Sequence, residues 1–311
     1  MPDLPPIGEQ NVALTIAPAE ADVRLDKLLV QRLGLGRRAA TLLFAQGRVM
    51  LAGRRVKKSE LARPGDELLV LLGPSGLPTP DPEAALDVRL ESPQFVIVSK
   101  AAGQPSVPVP GSESGTLASA LLAHYPEMLG VGYSPREPGL LHRLDTGTSG
   151  LLLAARTPAA FARLREMLRA GRLCKRYLAI VERAGLPGAG EIDSPLAPHP
   201  RDRRRMRVAP SENEPGARAA HTSWRVQQRG TRFALLEVDV ERALRHQIRV
   251  HLASIGHPIV GDTLYGGVEV PGFDNRHALH ASHLSWTGDS SLKAFAVDAP
   301  LPADMAQLLN E

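Results

Sequence analysis

Between Gly139 and Arg156 the chain reads GLLHRLDTGTSGLLLAAR, a polar knot set between two apolar runs. The second run is free of charge, too short to cross a membrane and too short for a buried helix. It reads as a strand. Gly147, Thr148, Ser149 and Gly150 form a tight turn in front of it, which carries Asp145 to the end of the strand. Further strands can be read along the chain. FVIVSK (95–100), KRYLAIVE (175–182), HTSWRVQQRG (221–230) and FALLEVDVE (233–241) all read as strands. TLASALLAHYP (116–126), TPAAFARLREMLRAGR (157–172) and RHQIRVHLASIG (245–256) read as helices, the second capped by Thr157 with Pro158 at its first position. Without a regular strand–helix–strand repeat, the predicted class is α+β, with a mixed, largely antiparallel sheet and flanking helices.

The N-terminal part has a different texture. Residues 1–20 are Pro-rich and read as a tail. Over 21–72 come a helix built on Leu25, Leu28, Leu29 and Leu33, a second helix over Arg37–Ala45, and strands in RVMLAG and DELLVLL. Gly- and Pro-rich residues 73–88 read as a linker, leaving 89–311 as a larger domain. Two domains suit a chain of 311 residues, and 43% hydrophobic residues suffice for real cores.

Only six lysines stand among 37 basic residues, and the net charge is only +4, yet the arginines cluster. GRR (36–38), GRRVKK (53–58) and RDRRRMR (201–207) suit a polyanion, since guanidinium forks match phosphate. Arg37, Arg38, Arg48, Arg54, Arg55, Lys57 and Lys58 fall on the second helix and the hairpin of the small domain. They are the expected phosphate contacts. Cys174 is the single cysteine, so no internal disulfide framework or Cys-rich metal site is expected and a reduced cytoplasm is the default. The first 20 residues carry no signal-peptide pattern and no run of about 18 apolar residues occurs, so no membrane partner is expected.

Four segments carry a resemblance. HRLDTGTSGLLLAA (142–155), KRYLAIV (175–181), RHQIRVHLASIGHPIVGDTLYG (245–266) and HALHASHL (277–284) resemble, in order and spacing, the RluA-type pseudouridine synthases. RLDKLL, GRVMLAGRRV and RPGDELLV resemble the S4 RNA-binding domain, a small α/β module. The resemblance spans about Val23 to Leu309 and implies isomerisation of uridine in RNA. It points to 23S ribosomal RNA first and to tRNA second, by a monomeric enzyme without metal, redox cofactor or nucleotide. It assigns catalysis to Asp145, ion-pairing with that carboxylate to Arg249, and packing on a flipped base to Tyr177. Arg143 is an expected RNA contact. The segment Arg242-Ala243-Leu244 departs from the family's Thr-Gly-Arg pattern, with Arg242 or Arg245 as candidate substitutes. Two other readings are a metal site built on His246, His251, His257 and Asp262, and a non-catalytic RNA-binding or ribosome-assembly factor. The histidine spacing argues against the first, and the presence of Asp145, Tyr177 and Arg249 against the second.

Overall fold

The computed structural model describes residues 11–34, 40–41, 43–44, 47–71, 78–108, 114–241, 243–289 and 292–310. The chain divides into two compact units, residues 1–77 and 78–311. Arg37, Arg38 and most of the expected second helix lie outside the described residues, as does Arg242.

In the first unit β1 (Asn11–Thr15), β2 (Val49–Leu51), β3 (Arg54–Arg55) and β4 (Glu67–Leu71) form one sheet in the order β1-β4-β2-β3. Helix α1 (Leu25–Leu33) buries Leu25, Leu28 and Leu29 against Val49, Leu68 and Val70. Gly34, at φ 63°, ends it in the left-handed conformation that a residue without Cβ adopts readily. The segment read as a tail is partly structured. Leu14 and Ile16 are buried, Val12 packs against the same core, and this alternation makes residues 11–15 an edge strand on β4.

The second unit begins before the expected boundary, and its first strand, β5 (Asp87–Glu91), includes residues assigned above to the linker. It is followed by β6 (Phe95–Lys100), β7 (Ser149–Ala155), β8 (Cys174–Glu182) and β9 (Ala189–Asp193). A two-stranded ribbon, β10 (Leu196–Pro198) and β11 (Met206–Val208), carries the arginine turn 201–205. Then come β12 (His221–Arg229), β13 (Phe233–Asp239), β14 (Leu279–Trp286) and β15 (Phe295–Asp298). Nine strands make one sheet ordered β5-β6-β7-β14-β8-β13-β12-β9, with β15 on β14. Every pairing is antiparallel except β7 with β14. The fold is thus α+β with a largely antiparallel sheet.

The continuous apolar character of β6 and β7 follows from their position in the sheet. Val96, Val98, Leu152 and Ala154 enter one core, which includes α2 (Leu117–His124). Phe95, Ile97, Leu151 and Leu153 enter the other, under α3 (Pro158–Arg169). Both faces are covered, so neither set of alternate positions tolerates charge. Thr116 and Thr157 cap these helices by accepting the Ser119 and Ala160 amide hydrogens. Helix α4 (Gln247–Ser254) lies on β11 and β12, and α5 (Ala303–Leu308) closes the chain. At the parallel β7–β14 contact, Gly150 (φ 111°) pairs with Ala281 so closely that a Cβ would strike the Ala281 carbonyl. That contact fixes where the turn bearing Asp145 leaves the sheet.

Candidate active site

The turn before β7 is held at the carbonyls on both sides of Asp145. The Ser106 hydroxyl donates to the Leu144 carbonyl at 2.8 Å. The buried Lys100 ammonium donates to the Thr146 carbonyl at 3.1 Å and to Ala101 and Gln104 carbonyls at 2.7 Å. Thr148 is pinned through its hydroxyl to His277 Nε2 at 2.7 Å. Burial pulls Lys100 down to about 7 even though the charge of Asp145 opposes the shift. A turn anchored at every step aims one carboxylate with little freedom.

Asp145 meets helix α4. Its Oδ2 accepts a 2.7 Å hydrogen bond from Arg249 Nη1. Arg249 uses the rest of its fork on Asp262, with Nε to Oδ2 at 2.7 Å and Nη2 to Oδ1 at 2.8 Å. The guanidinium also lies 5.1 Å from the centre of the Tyr265 ring. Arg249 is 6% exposed and Asp262 2%, whereas the Asp145 side chain keeps 25% of its exposure. The anchored pair is sealed and the third member faces solvent. Burial alone would raise the Asp145 carboxyl, but His246 and Arg249, the latter through both its charge and its hydrogen bond, outweigh it and hold the group below the ordinary carboxylate range.

His246 completes the arrangement. It sits at φ 56°, immediately before α4, with Nε2 3.7 Å from Asp145 Oδ1. Its Nδ1 is 2.8 Å from the Tyr265 hydroxyl, which itself accepts the Met206 amide hydrogen at 2.7 Å. The tyrosine proton therefore goes to Nδ1, and the histidine hydrogen faces Asp145 from Nε2. Burial keeps His246 down at about 4, so the ring is neutral near pH 7 and Arg249 supplies the charge.

Asp145 stands on a ridge between two clefts. The outer one, about 790 Å³, is lined by Arg143, Arg204, Arg245 and Arg276 among others. The inner one, about 480 Å³, is lined by Tyr177, Lys175, Ile248 and Leu279 and by arginines that include Arg169 and Arg218. Tyr177 is 4% exposed, and burial, aided by the charge of Asp145, raises its hydroxyl far above the usual phenol range. It is a neutral phenol throughout the working pH range. Arg143 is exposed, touches both clefts and pairs with Glu137 at 2.8 Å.

The four residues of the metal reading do not converge. His246 faces Asp145, His251 bonds Thr222 and the Ser194 carbonyl inside the core, and Asp262 is occupied by Arg249. Leu244 packs on Leu196, Ala220 and Val250. Arg245, next along, donates to the Arg203 and Arg204 carbonyls and ties the arginine turn to the site. In the first unit, Arg54, Arg55, Lys57 and Lys58 are exposed and Arg48 partly so. Glu60 neutralises Arg54 at 2.9 Å. Sequence reasoning assigned no role to Lys100, Lys175 or Tyr265 and considered Asp262 and His246 only as metal ligands. The segment GHPIVGDTLYG was the available signal for Asp262 and Tyr265.

One consequence concerns acid. Burial lowers His246, His277 and His280 to about 4 and His142 to about 3. The unfolded chain takes up protons below about 6.5 that the folded chain refuses, so stability is lost as pH falls from 6.5 towards 4. At pH 5 this amounts to about 2 kcal/mol per histidine. Thermal unfolding followed against pH should show the midpoint more than ~10 °C lower at pH 5 than at pH 7. A flat profile down to pH 4.5 would contradict neutral, buried histidines.

Residues 94–254 match the RNA pseudouridylate synthase family. The chain is 38% identical over 309 residues to an RNA pseudouridine synthase of Chloroflexus aurantiacus, covering 98% of this chain and 94% of that protein. It is 32% identical over 316 residues to the ribosomal large subunit pseudouridine synthase D of Neisseria meningitidis serogroup A, covering 97% and 82%. Among solved structures, human RNA pseudouridylate synthase domain containing 1 matches with a TM-score of 0.56 at 25% identity, over 70% of this chain and 84% of that one. An α+β sheet that delivers one arginine-held carboxylate between two clefts is the frame of an RNA-modifying isomerase. The chain belongs to the RNA pseudouridylate synthase family.

Proposed function

We propose that this enzyme converts uridine to pseudouridine in 23S ribosomal RNA in the cytoplasm, with Asp145 as the catalytic group. The observation that carries the reading is the Asp145–Arg249–Asp262 chain on the ridge between the clefts. The reaction breaks the N1–C1′ bond, turns the uracil and joins C5 to C1′. The C5 proton leaves and N1 gains one, so nothing is oxidised or hydrolysed. An ionised carboxylate facing the ribose as that bond breaks stabilises the positive charge developing at C1′. Arg249 keeps Asp145 ionised inside a site dry enough to protonate it. A uridine in folded RNA must leave its stack to reach the site. Tyr177 and Leu279 in the inner cleft suit a planar base, while the arginines that line both clefts suit the strand that bears it.

Relatives named for the large ribosomal subunit, matched along nearly the whole chain, support 23S ribosomal RNA as the substrate. The first unit, with its basic hairpin, is read as an S4-like module that adds affinity through phosphates. If Arg143, Arg204, Arg245 and one hairpin cation each meet a phosphate, affinity should drop about 50-fold between 50 and 200 mM salt. Filter binding across that range checks this; a slope near zero would remove the phosphate contacts. The substrate is tested by mapping pseudouridines in ribosomal RNA from cells lacking the gene. At least one 23S position should revert to uridine and return on complementation; a complete, unchanged map would overturn the assignment.

A further inference from the structure

Lys175 has a setting that the reaction as described leaves unused. It lies two residues before Tyr177 on β8, so both side chains project from the same face of the strand. It is 5% exposed, lines the inner cleft and has no ion pair or hydrogen bond among the described residues. The same cleft is lined by the apolar Leu141, Ile248 and Leu279, by the His142 ring that feels the charge of Lys175, and by arginines that include Arg169 and Arg218. A structural lysine buried this way takes a carboxylate or carbonyls as partners, as Lys100 does with three carbonyls. An ammonium left without partners in such a cleft is held ready for a ligand acceptor.

The acceptor follows from the geometry of the reaction, and the inference rests on the function proposed above. The ribose stays attached to the strand, so the glycosidic atom of the base faces the ridge and Asp145. The ring atom opposite it points inward. In uridine the bond is at N1 and the opposite atom is C4, carrying O4. After the base turns and the bond is at C5, the opposite atom is C2, carrying O2. A carbonyl oxygen therefore occupies the inner position both before and after isomerisation, while N3–H stays at the side. In cytosine that inner position holds an amino group, which offers an ammonium nothing to bond.

We propose that Lys175 reads the base: its ammonium donates to the uracil carbonyl at the inner end of the cleft, O4 before rotation and O2 after. It selects uracil over cytosine and gives the turning base the same anchor at both ends of its rotation. Lys175 is thus a specificity residue of the proposed reaction. Neither Asp145 nor Arg249 distinguishes uracil from cytosine, because both face the ribose end.

The test uses a short RNA containing a uridine that the wild-type protein converts, and its twin with cytidine at that position. Absence of conversion by wild type would count against the proposed function and is seen before Lys175 is touched. Binding is then compared in Asp145→Asn protein, which prevents turnover, with and without Lys175→Met. The parent should prefer the uridine RNA by about 10-fold or more, as a charge-assisted hydrogen bond provides. Lys175→Met should bring the two affinities within about twofold, mainly by weakening the uridine RNA. Lys175→Gln, with a donor but no charge, should keep part of the preference and reads the same quantity if the methionine variant does not fold. An undiminished preference in either variant would overturn the proposal. So would equal weakening of both RNAs, which would make Lys175 a phosphate contact.

Discussion

Asp145→Asn is expected to bind RNA and fold normally while its rate of pseudouridine formation falls at least about 10⁴-fold. Asparagine keeps the shape of the side chain and can still accept the Arg249 hydrogen bond, but it has no charge with which to meet the ribose. Asp262 cannot take over, since both its oxygens are already engaged by Arg249. Stability should change by less than about 1 kcal/mol, because the sealed part of the site remains a paired cation and anion. Urea unfolding and mass-spectrometric quantification of pseudouridine measure the two halves. Activity within tenfold of wild type would refute the role given to Asp145.

Arg249→Met should damage both properties at once. It leaves Asp145 and Asp262 facing one another with no cation between them, one of the two 2% exposed. Breaking a buried pair from one side costs about 3–5 kcal/mol. The Asp145 carboxyl should also rise, since burial then acts without the charge and hydrogen bond of Arg249. Activity should fall with the charge. The double variant Arg249→Met, Asp262→Asn separates the effects: most of the stability should return, because no uncompensated buried charge remains at position 262, and activity should not. Recovery of both would mean that Arg249 serves only to satisfy Asp262.

The main framework could be read from residue patterns. The apolar runs of β6 and β7, the alternation in β13 and the Thr157-Pro158 start of α3 are local signals, and each formed the element it predicts. What stayed hidden depends on contacts distant in sequence. Asp145 and Arg249 are 104 positions apart, so their hydrogen bond had no local trace, and only the resemblance paired them. The parallel contact of β7 with β14 depends on Gly150 admitting the Ala281 backbone. Asp262 sits in a loop where an aspartate reads as a turn residue, and His246 adopts a left-handed backbone that no propensity suggests. Lys100 and Lys175 were hidden by their charge, since lysine is expected at the surface. The edge strand at 11–15 was lost among prolines, although Val12, Leu14 and Ile16 already alternated.

The most direct measurement is pseudouridine content in a 23S ribosomal RNA transcript, free of other modifications, after incubation with the purified protein. Wild type should introduce pseudouridine at one or a few discrete positions without added metal or cofactor, and Asp145→Asn should introduce none. A transcript left unmodified by wild type, or modified equally by Asp145→Asn, would contradict the account.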